Sequence, residues 1–332
     1  MNTGTSEAIS RAARTAVDAA IWAPSIHNTQ PWSFALSGDE ISLRADPDRK
    51  LRLADAAGRQ MLVSCGAALF TVRIALRAQG CEPEVRLLPD PERPLLLATV
   101  RVRPGAPPDE HTRLLHAEVE RRRTHRSGFT ALSVPERLIE ALVAEAAAEA
   151  AHLTPVRADA AVRVLASLTG AAQAVQGEDR PRRLEIMRWA RPPDSGRRDG
   201  VPAAAYPAEP RRTYPEHFAQ RDYAGSRQWG GETDDRLSSA TGLVAVLTTP
   251  GDLPADWLAA GQALQRVLLH GSAYGLSVAF HTQALEMEEL REFIRRHVCS
   301  GEHPQTIMRL GFVLDELASV RRTSSEVLDD DG

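Results

Sequence analysis

Ten consecutive residues constrain this chain more than any other stretch: Ala23-Pro24-Ser25-Ile26-His27-Asn28-Thr29-Gln30-Pro31-Trp32. Apolar spacing at Ile9, Ala13, Val17, Ala20 and Ile21 sets a helix over 6–22, and Pro24 stops it. Trp32 opens a strand over 32–36, which a Ser37-Gly38-Asp39 turn folds back into a second strand over 41–45. The linking loop must leave a helix and enter an edge strand with two residues held at φ of about −65°. Ser25, Asn28 and Gln30 offer it donors and acceptors, a set suited to the edge of a planar heteroaromatic ring. A well-capped helix-to-strand loop with a core tryptophan accounts for the same residues. His27 fits a hydrogen-bonded structural residue better than a base.

The pattern continues as an α+β chain. Asp55 is placed to cap a long helix running to about residue 79, with Gly80 as its left-handed terminus. Strand-like runs cover 84–88 and 95–102, and the proline cluster at 104–108 marks a boundary. Helices are expected over 109–124, from Pro135 to about 150, and over 158–176. After residue 240 come a strand (241–247), a helix (256–274), a strand (277–281), a helix (286–297) and a strand (305–313). An extended segment (320–328) and a loose acidic end complete the chain. Mixed sheets flanked by helices are expected from this order. Residues 177–237 break the rhythm: they hold seven of the 22 prolines and six of the 22 glycines. Yet they also hold Trp189, Tyr206, Tyr214, Phe218, Tyr223 and Trp229, and disordered segments are poor in aromatics. An ordered, irregular excursion packed over something is expected.

Composition removes several function classes. With a formal charge of −4, the chain has no global attraction for nucleic acid or anionic lipid. No uninterrupted apolar run reaches the ~18 residues of a membrane span, and residues 1–14 lack a signal-peptide pattern; a cytoplasmic protein is expected. Cys65, Cys81 and Cys299 form no C-x-x-C pair, and the ten histidines show no ligand spacing, so no metal is expected. There is no Gly-rich dinucleotide fingerprint, no phosphate-binding loop with lysine and no G-x-S-x-G elbow.

A second dense stretch is Arg121-Arg122-Arg123-Thr124-His125-Arg126. Lys50 is the only lysine beside 39 arginines, so arginine clusters arise here from composition more readily than usual. These arginines suit the carbonyls and dipole at a helix C-terminus, a bidentate phosphate clamp or, least well, a nucleic-acid patch. Arg321-Arg322 poses the same choice.

In order, these stretches resemble the nitroreductase superfamily. The loop matches its A-P-S-x-x-N-x-Q-P-W marker, and 122–126 matches its R-R-S-x-R segment, with Thr124 at the serine position. In ordinary members the arginine segment precedes the loop; here it lies about 100 residues after it, as in the Acg-type, or twin, subgroup. The resemblance runs on through Gly58 to Leu69, Trp257 to Arg266, Gly275-Leu276, Pro304-Gln305, Arg309 to Phe312 and Arg321-Arg322.

It implies a nitroreductase-like fold of two fused halves, 1–105 and 106–328, forming an intramolecular pseudo-dimer with residues 177–237 as a lid. An ordinary homodimer has two FMN sites, each fed by both subunits. The first half here has the loop and no arginine segment, and the second has the reverse, so one site remains. By resemblance, Arg122, Arg123, Thr124 and Arg126 hold the FMN phosphate and ribityl chain, and Arg321 and Arg322 close the phosphate end. Pro24, Ser25, Asn28 and Gln30 bring the first half to the ring. Gln283 and Ala284 occupy the place of a Glu-Gly pair whose backbone N–H meets flavin N5, with glutamine a departure from the usual glutamate. The chemistry resides on N5, so no catalytic side chain is implied. The activity implied is hydride transfer from NAD(P)H to an electron-poor small molecule. The alternative is a flavin-sequestering protein whose shut lid allows little turnover. The partners implied are FMN and substrate, in a monomer or homodimer.

Overall fold

The computed structural model describes residues 3–207, 212–223, 225, 229–230, 239–314 and 319–329. The chain runs α1 (Thr3–Ala20), β1 (Trp32–Ser37), β2 (Glu40–Ala45), α2 (Arg59–Ala78), β3 (Cys81–Leu87), β4 (Leu96–Pro104) and α3 (Glu110–Ala117). It continues with α4 (Glu136–Ala147), β5 (His152–Pro155), α5 (Asp159–Glu178), α6 (Arg180–Met187), β6 (Ala190–Arg191) and β7 (Val201–Pro202). It closes with β8 (Leu243–Thr249), α7 (Pro254–Ala273), β9 (Leu276–Phe280), α8 (Glu288–His297) and β10 (His303–Phe312).

Two four-stranded sheets organise these elements, ordered β1-β2-β4-β3 and β5-β8-β10-β9. Laid against each other, β1, β2, α2, β3, β4 and β5, β8, α7, β9, β10 coincide in chain order and strand order. α1 packs on α2 as α4 packs on α7. The correspondence fails in two places. The two-residue turn between β1 and β2, closed by Gly38 at φ +59°, is replaced between β5 and β8 by an excursion over 156–242. The loop of residues 21–31 after α1 is replaced after α4 by residues 148–151 alone.

The two long helices carry the contact between the sheets' halves. α2 is buried nearly throughout, and although long and apolar enough by composition to cross a membrane, it lies inside the protein. It crosses α7 where each presents a glycine. A Cβ on Gly66 would come within 2.3 Å of the Leu258 carbonyl oxygen, and one on Gly261 within 2.0 Å of that of Val63. Only glycine permits this backbone approach.

The sheets are antiparallel within their four strands, and their mixed character is confined to edge bridges. Phe34 bridges Leu328 in parallel, with the Phe34 amide donating to Val327 O at 2.7 Å and the Asp329 amide to Phe34 O at 2.8 Å. The chain's last described segment thus adds to the first sheet; a short 3-10 turn, Ser324–Glu326, interrupts the extended run expected there.

Two helix expectations are corrected. Asp55 lies outside α2, whose N-cap is Gly58 at φ +79°. It still caps from a distance, its carboxylate accepting from the amides of Gln60 (3.1 Å) and Met61 (2.9 Å). The helix expected over 109–124 stops at Ala117, and the chain then turns and extends, so that Thr124 bridges Val278 and the His125 amide donates to Val278 O at 2.9 Å. The arginines therefore do not decorate a helix end: pairing with β9 outweighs helix continuation and turns Arg122 inward.

The excursion is ordered over its described part. α5 packs with α8 and β10 in one apolar cluster, and Ile186, Ala190, Val201, Ala205, Tyr206 and Tyr223 form another of their own. That second cluster is what its aromatic content serves.

Candidate functional site

The loop between α1 and β1 is strained. His27, Asn28 and Gln30 have φ of 48°, 53° and 50°, a region that is unfavourable for non-glycine residues. Side chains hold it there. Ser25 Oγ accepts from the Gln30 amide at 2.9 Å, and Ser64 Oγ, which donates to Gln60 O, accepts from the Ile26 amide at 3.2 Å. Asn28 Nδ2 donates to Gly200 O (2.8 Å) and Val320 O (3.0 Å), while Asn28 O accepts from the Gly200 amide.

Trp22, one turn earlier, gathers the arginines. Its carbonyl accepts from Arg122 Nη2 (3.4 Å) and Arg321 Nη2 (3.2 Å), and its ring lies 5.1 Å from the Arg123 guanidinium and 5.7 Å from that of Arg321. Arg122 and Arg321 are buried, and Nε of each has no hydrogen-bond partner. Among the described residues no carboxylate pairs with Arg122, Arg126 or Arg321. Burial, then Arg123 and Arg126, brings Arg122 down to about 9; burial, then Arg122, Arg123 and Arg126, drives Arg321 well below its ordinary value. These three guanidinium groups, with Arg123 beside them, are like charges close together, and burial desolvates Arg122 and Arg321.

They meet the loop at a small cleft of about 20 Å³, lined by Pro24, Ser25, Asn28, Arg123, Thr124, Arg126, Gly200 and Arg321 among others. Pro24, Ser25, Thr124 and Arg126 also line an adjoining cavity of about 110 Å³. Its walls come from α2 (Gln60, Val63, Ser64), α7 (Leu264), the end of β9 with the two residues beyond it (Ala279 to Thr282), and the excursion (Tyr206, Gln220, Arg221, Tyr223). Buried donors face it without partners: His27 Nε2, Gln220 Nε2 and Arg221 Nη1. His27 Nδ1 lies 2.9 Å from Tyr223 Oη; burial, then Arg221 and Arg126, holds the ring neutral, well below the usual histidine range. Arg309 closes the floor, fixed by His281 Nε2 (2.8 Å) and by the carbonyls of Thr241 and Ser127, with burial lowering it to about 10.

Other residues singled out in the sequence lie elsewhere. Gln30 is buried behind the loop, donating to Arg198 O (2.9 Å) and accepting from the Arg322 amide (2.8 Å). Arg322 turns away from Arg321 toward a surface pocket that it shares with Arg49, Arg198 and Asp199. Arg122 stands behind the cleft rather than on its wall. Gln283 and Ala284 come directly after the lining residue Thr282 and are themselves buried, with Gln283 Nε2 donating to Ala219 O at 3.0 Å. Gln60, Ser64, Tyr206, Gln220, Arg221, Tyr223 and Arg309 were not singled out. Gln60, Ser64 and Arg309 fall within stretches that carry the resemblance, without a role of their own there, and the aromatic richness of the excursion marks Tyr206 and Tyr223.

One comparison decides the family. A Mycobacterium tuberculosis protein named among the NAD(P)H nitroreductases is 33% identical to this chain over 301 residues, 90% of this chain and 84% of the relative. The chain belongs to the nitroreductase family. A second M. tuberculosis relative, the NAD(P)H nitroreductase acg by name, is 28% identical over 302 residues, 90% of this chain and 88% of its own. Among solved structures, the FMN-dependent nitroreductase NfnB of Mycobacterium smegmatis in complex with NADPH aligns at 16% identity and a TM-score of 0.39, over 65% of this chain and 97% of that one. A Bacteroides fragilis nitroreductase with bound FMN aligns at 12% and 0.37, over 65% and 94%. No family model matches the sequence. Within this nitroreductase, the loop and arginine stretches that carried the resemblance are separated by about 100 residues in sequence and share one cleft.

Proposed function

We propose that this chain is an FMN-dependent NAD(P)H oxidoreductase with one flavin site, built between two fused halves, 1–105 and 106–328. One observation carries the reading: three guanidinium groups, those of Arg122, Arg126 and Arg321, converge on the loop of Pro24 and Ser25 with no carboxylate paired to them among the described residues. A dianionic phosphate supplies the missing charge, and Arg321, on the cleft wall with its Nε unpartnered, supplies a donor for it. FMN, when bound, supplies the hydride-accepting N5 of its ring.

The chain's own residues bind, orient and exclude water. Arg123, Arg126 and Arg321 hold the phosphate on the wall of the cleft, Arg122 supports them from behind, and Thr124 meets the ribityl chain. Pro24 and Ser25 hold the ring from the first half, and the backbone at Gln283–Ala284 approaches from the second. The matching strand orders support the pseudo-dimer, and the four-residue link 148–151 leaves no second loop, hence one site per chain. A monomer is sufficient for it, and we place it in the cytoplasm, where NAD(P)H is available.

The described residues of 177–237 act as the lid, with 208–211, 224, 226–228 and 231–237 lying outside the described residues. Tyr206 and Tyr223 cover the cavity. The lid is fastened by the Asn28–Gly200 pair and by the Asp199 carboxylate, which binds Arg49 outside the lid (3.1 Å) and is itself held by Arg191 within it (2.7 Å). Glu185 adds a third fastening by accepting from the amides of Arg52, Leu53 and Ala54. Exchange of nicotinamide and oxidant requires it to open.

The test is anaerobic mixing of the yellow holoprotein with NADPH or NADH. Bleaching at the flavin band followed by reoxidation with an electron-poor aromatic is expected. Flavin that dithionite reduces and neither nicotinamide does would overturn the assignment of a turning-over enzyme.

A further inference from the structure

We propose that His111, Glu145 and His270 form a site for one divalent transition-metal ion of the zinc class. The three residues come from α3, α4 and α7, and their ligand atoms all lie within 4.8 Å of one another. His111 Nε2 is 3.0 Å from Glu145 Oε1, and His270 Nδ1 is 3.3 Å from the same oxygen. By strict geometry neither nitrogen makes a well-aligned hydrogen bond, and against burial, which raises the Glu145 carboxyl, the looser contact of His270 still helps to lower it. Two imidazole nitrogens therefore crowd one carboxylate oxygen without the alignment that a shared proton requires. An ion among the three atoms satisfies all of them, with small adjustments of side-chain torsions.

The surroundings suit such an ion. Glu145 Oε2 is occupied by Arg266 Nε at 2.5 Å, which fixes the carboxylate and leaves Oε1 to the imidazoles. Arg266 also reaches Glu149 Oε1 (3.2 Å), whose other oxygen meets Arg73 (2.5 Å), so the two guanidinium charges are matched by two carboxylates. Such an outer shell orients a ligand and holds it in one geometry. His270 and Glu145 are buried and the His111 side chain is 38% exposed, so an ion reaches the cluster from the His111 side, where that imidazole must turn to bring its buried Nε2 to it. Two histidines and one carboxylate select zinc-class ions over magnesium or calcium.

Position suggests a structural role. Directly after α3, Glu118 accepts from Ser272 Oγ at 2.7 Å, two residues beyond His270. An ion here ties α3 to α7 at the root of the chain that delivers Arg122 to Arg126. The inference does not rest on the flavin assignment.

The test uses the whole purified protein, stripped with a chelator and titrated with Zn²⁺ by calorimetry and against a chromogenic chelator. One ion per chain with a Kd below ~10 µM and a rise in melting temperature are expected. His111→Ala, and His111→Gln as a variant of more similar volume, should weaken binding at least about tenfold and leave the metal-free melting temperature unchanged. His152→Ala, which alters a separate histidine–carboxylate pair with Glu302, should leave binding intact. Affinity weaker than ~10 µM, or tight binding that both His111 variants retain, would overturn the proposal.

Discussion

Arg122 and Arg321 are liabilities to the ligand-free protein: each is buried among like charges and keeps an unpartnered Nε. Replacing either with methionine should therefore leave the melting temperature of the flavin-free protein unchanged or raised, since an uncompensated buried charge is removed. Arg321→Met should weaken FMN binding by about 10- to 150-fold, the equivalent of losing one charge-assisted bond of roughly 1.5–3 kcal/mol, and Arg122→Met, which removes only support from behind the cleft, should weaken it less. Calorimetry with FMN and thermal melting of the stripped protein check both. Asp199 is the opposite case. Burial alone would raise its carboxyl, but donors from Arg197 and Arg191 outweigh burial and hold it at about 2, below the ordinary 3.8. The unfolded chain then binds the proton more readily, so this stability is fully present above about pH 4 and is lost as pH falls through about 2. Asp199→Asn should flatten that acid limb, and identical acid unfolding of variant and parent would refute the fastening role. The loop and arginine residues were legible because prolines, polar side chains and arginines stand together in sequence. Tyr223, Gln60 and Ser64 were not, because only tertiary packing carries them to the cavity from separate elements.

Helix α2 and helix α7 meet through Gly66 and Gly261, and no other residue fits either position. Gly261→Ala places a methyl carbon 2.0 Å from a carbonyl oxygen, so the helices must separate. A loss of about 3 kcal/mol is expected, at the upper end of overpacking penalties, read as a lowered denaturant midpoint. A midpoint within about 0.5 kcal/mol of the parent would show that the crossing is softer than its geometry. The order of elements was largely legible from apolar periodicity, as for the strands at 32–36 and 41–45. Ends were legible only where local chemistry decides them: the helix expected from 109 begins there, with the Asp109 side chain capping α3. At Ala117, the partner that ends the helix is β9, more than 150 residues away, and no local signal announces it. β5 was missed for a similar reason, since only its pairing with β8 makes His152–Pro155 a strand.

On the proposed reading, the repeated sheet order lets one chain do what a symmetric pair would do. The halves differ by a turn in place of the excursion and a long loop in place of a short link; the excursion and the long loop line the cleft, whereas Glu149 of the link pairs with Arg73 and Arg266. Symmetry breaking leaves loop and arginines facing each other once. The displaced arginine segment points in the sequence to two fused halves, whereas nothing in the sequence points to the contacts that hold the excursion. Its anchors, Asn28 to Gly200, Glu185 to residues 52–54 and Asp199 to Arg49, join residues distant in sequence. The most direct measurement is calorimetric titration of the stripped chain with FMN, with the chain's own mass in solution determined alongside. One FMN per chain, bound tightly by the monomer, is the result this account predicts. Two FMN per chain, or binding that appears only on dimerisation, would contradict a single site built between the fused halves.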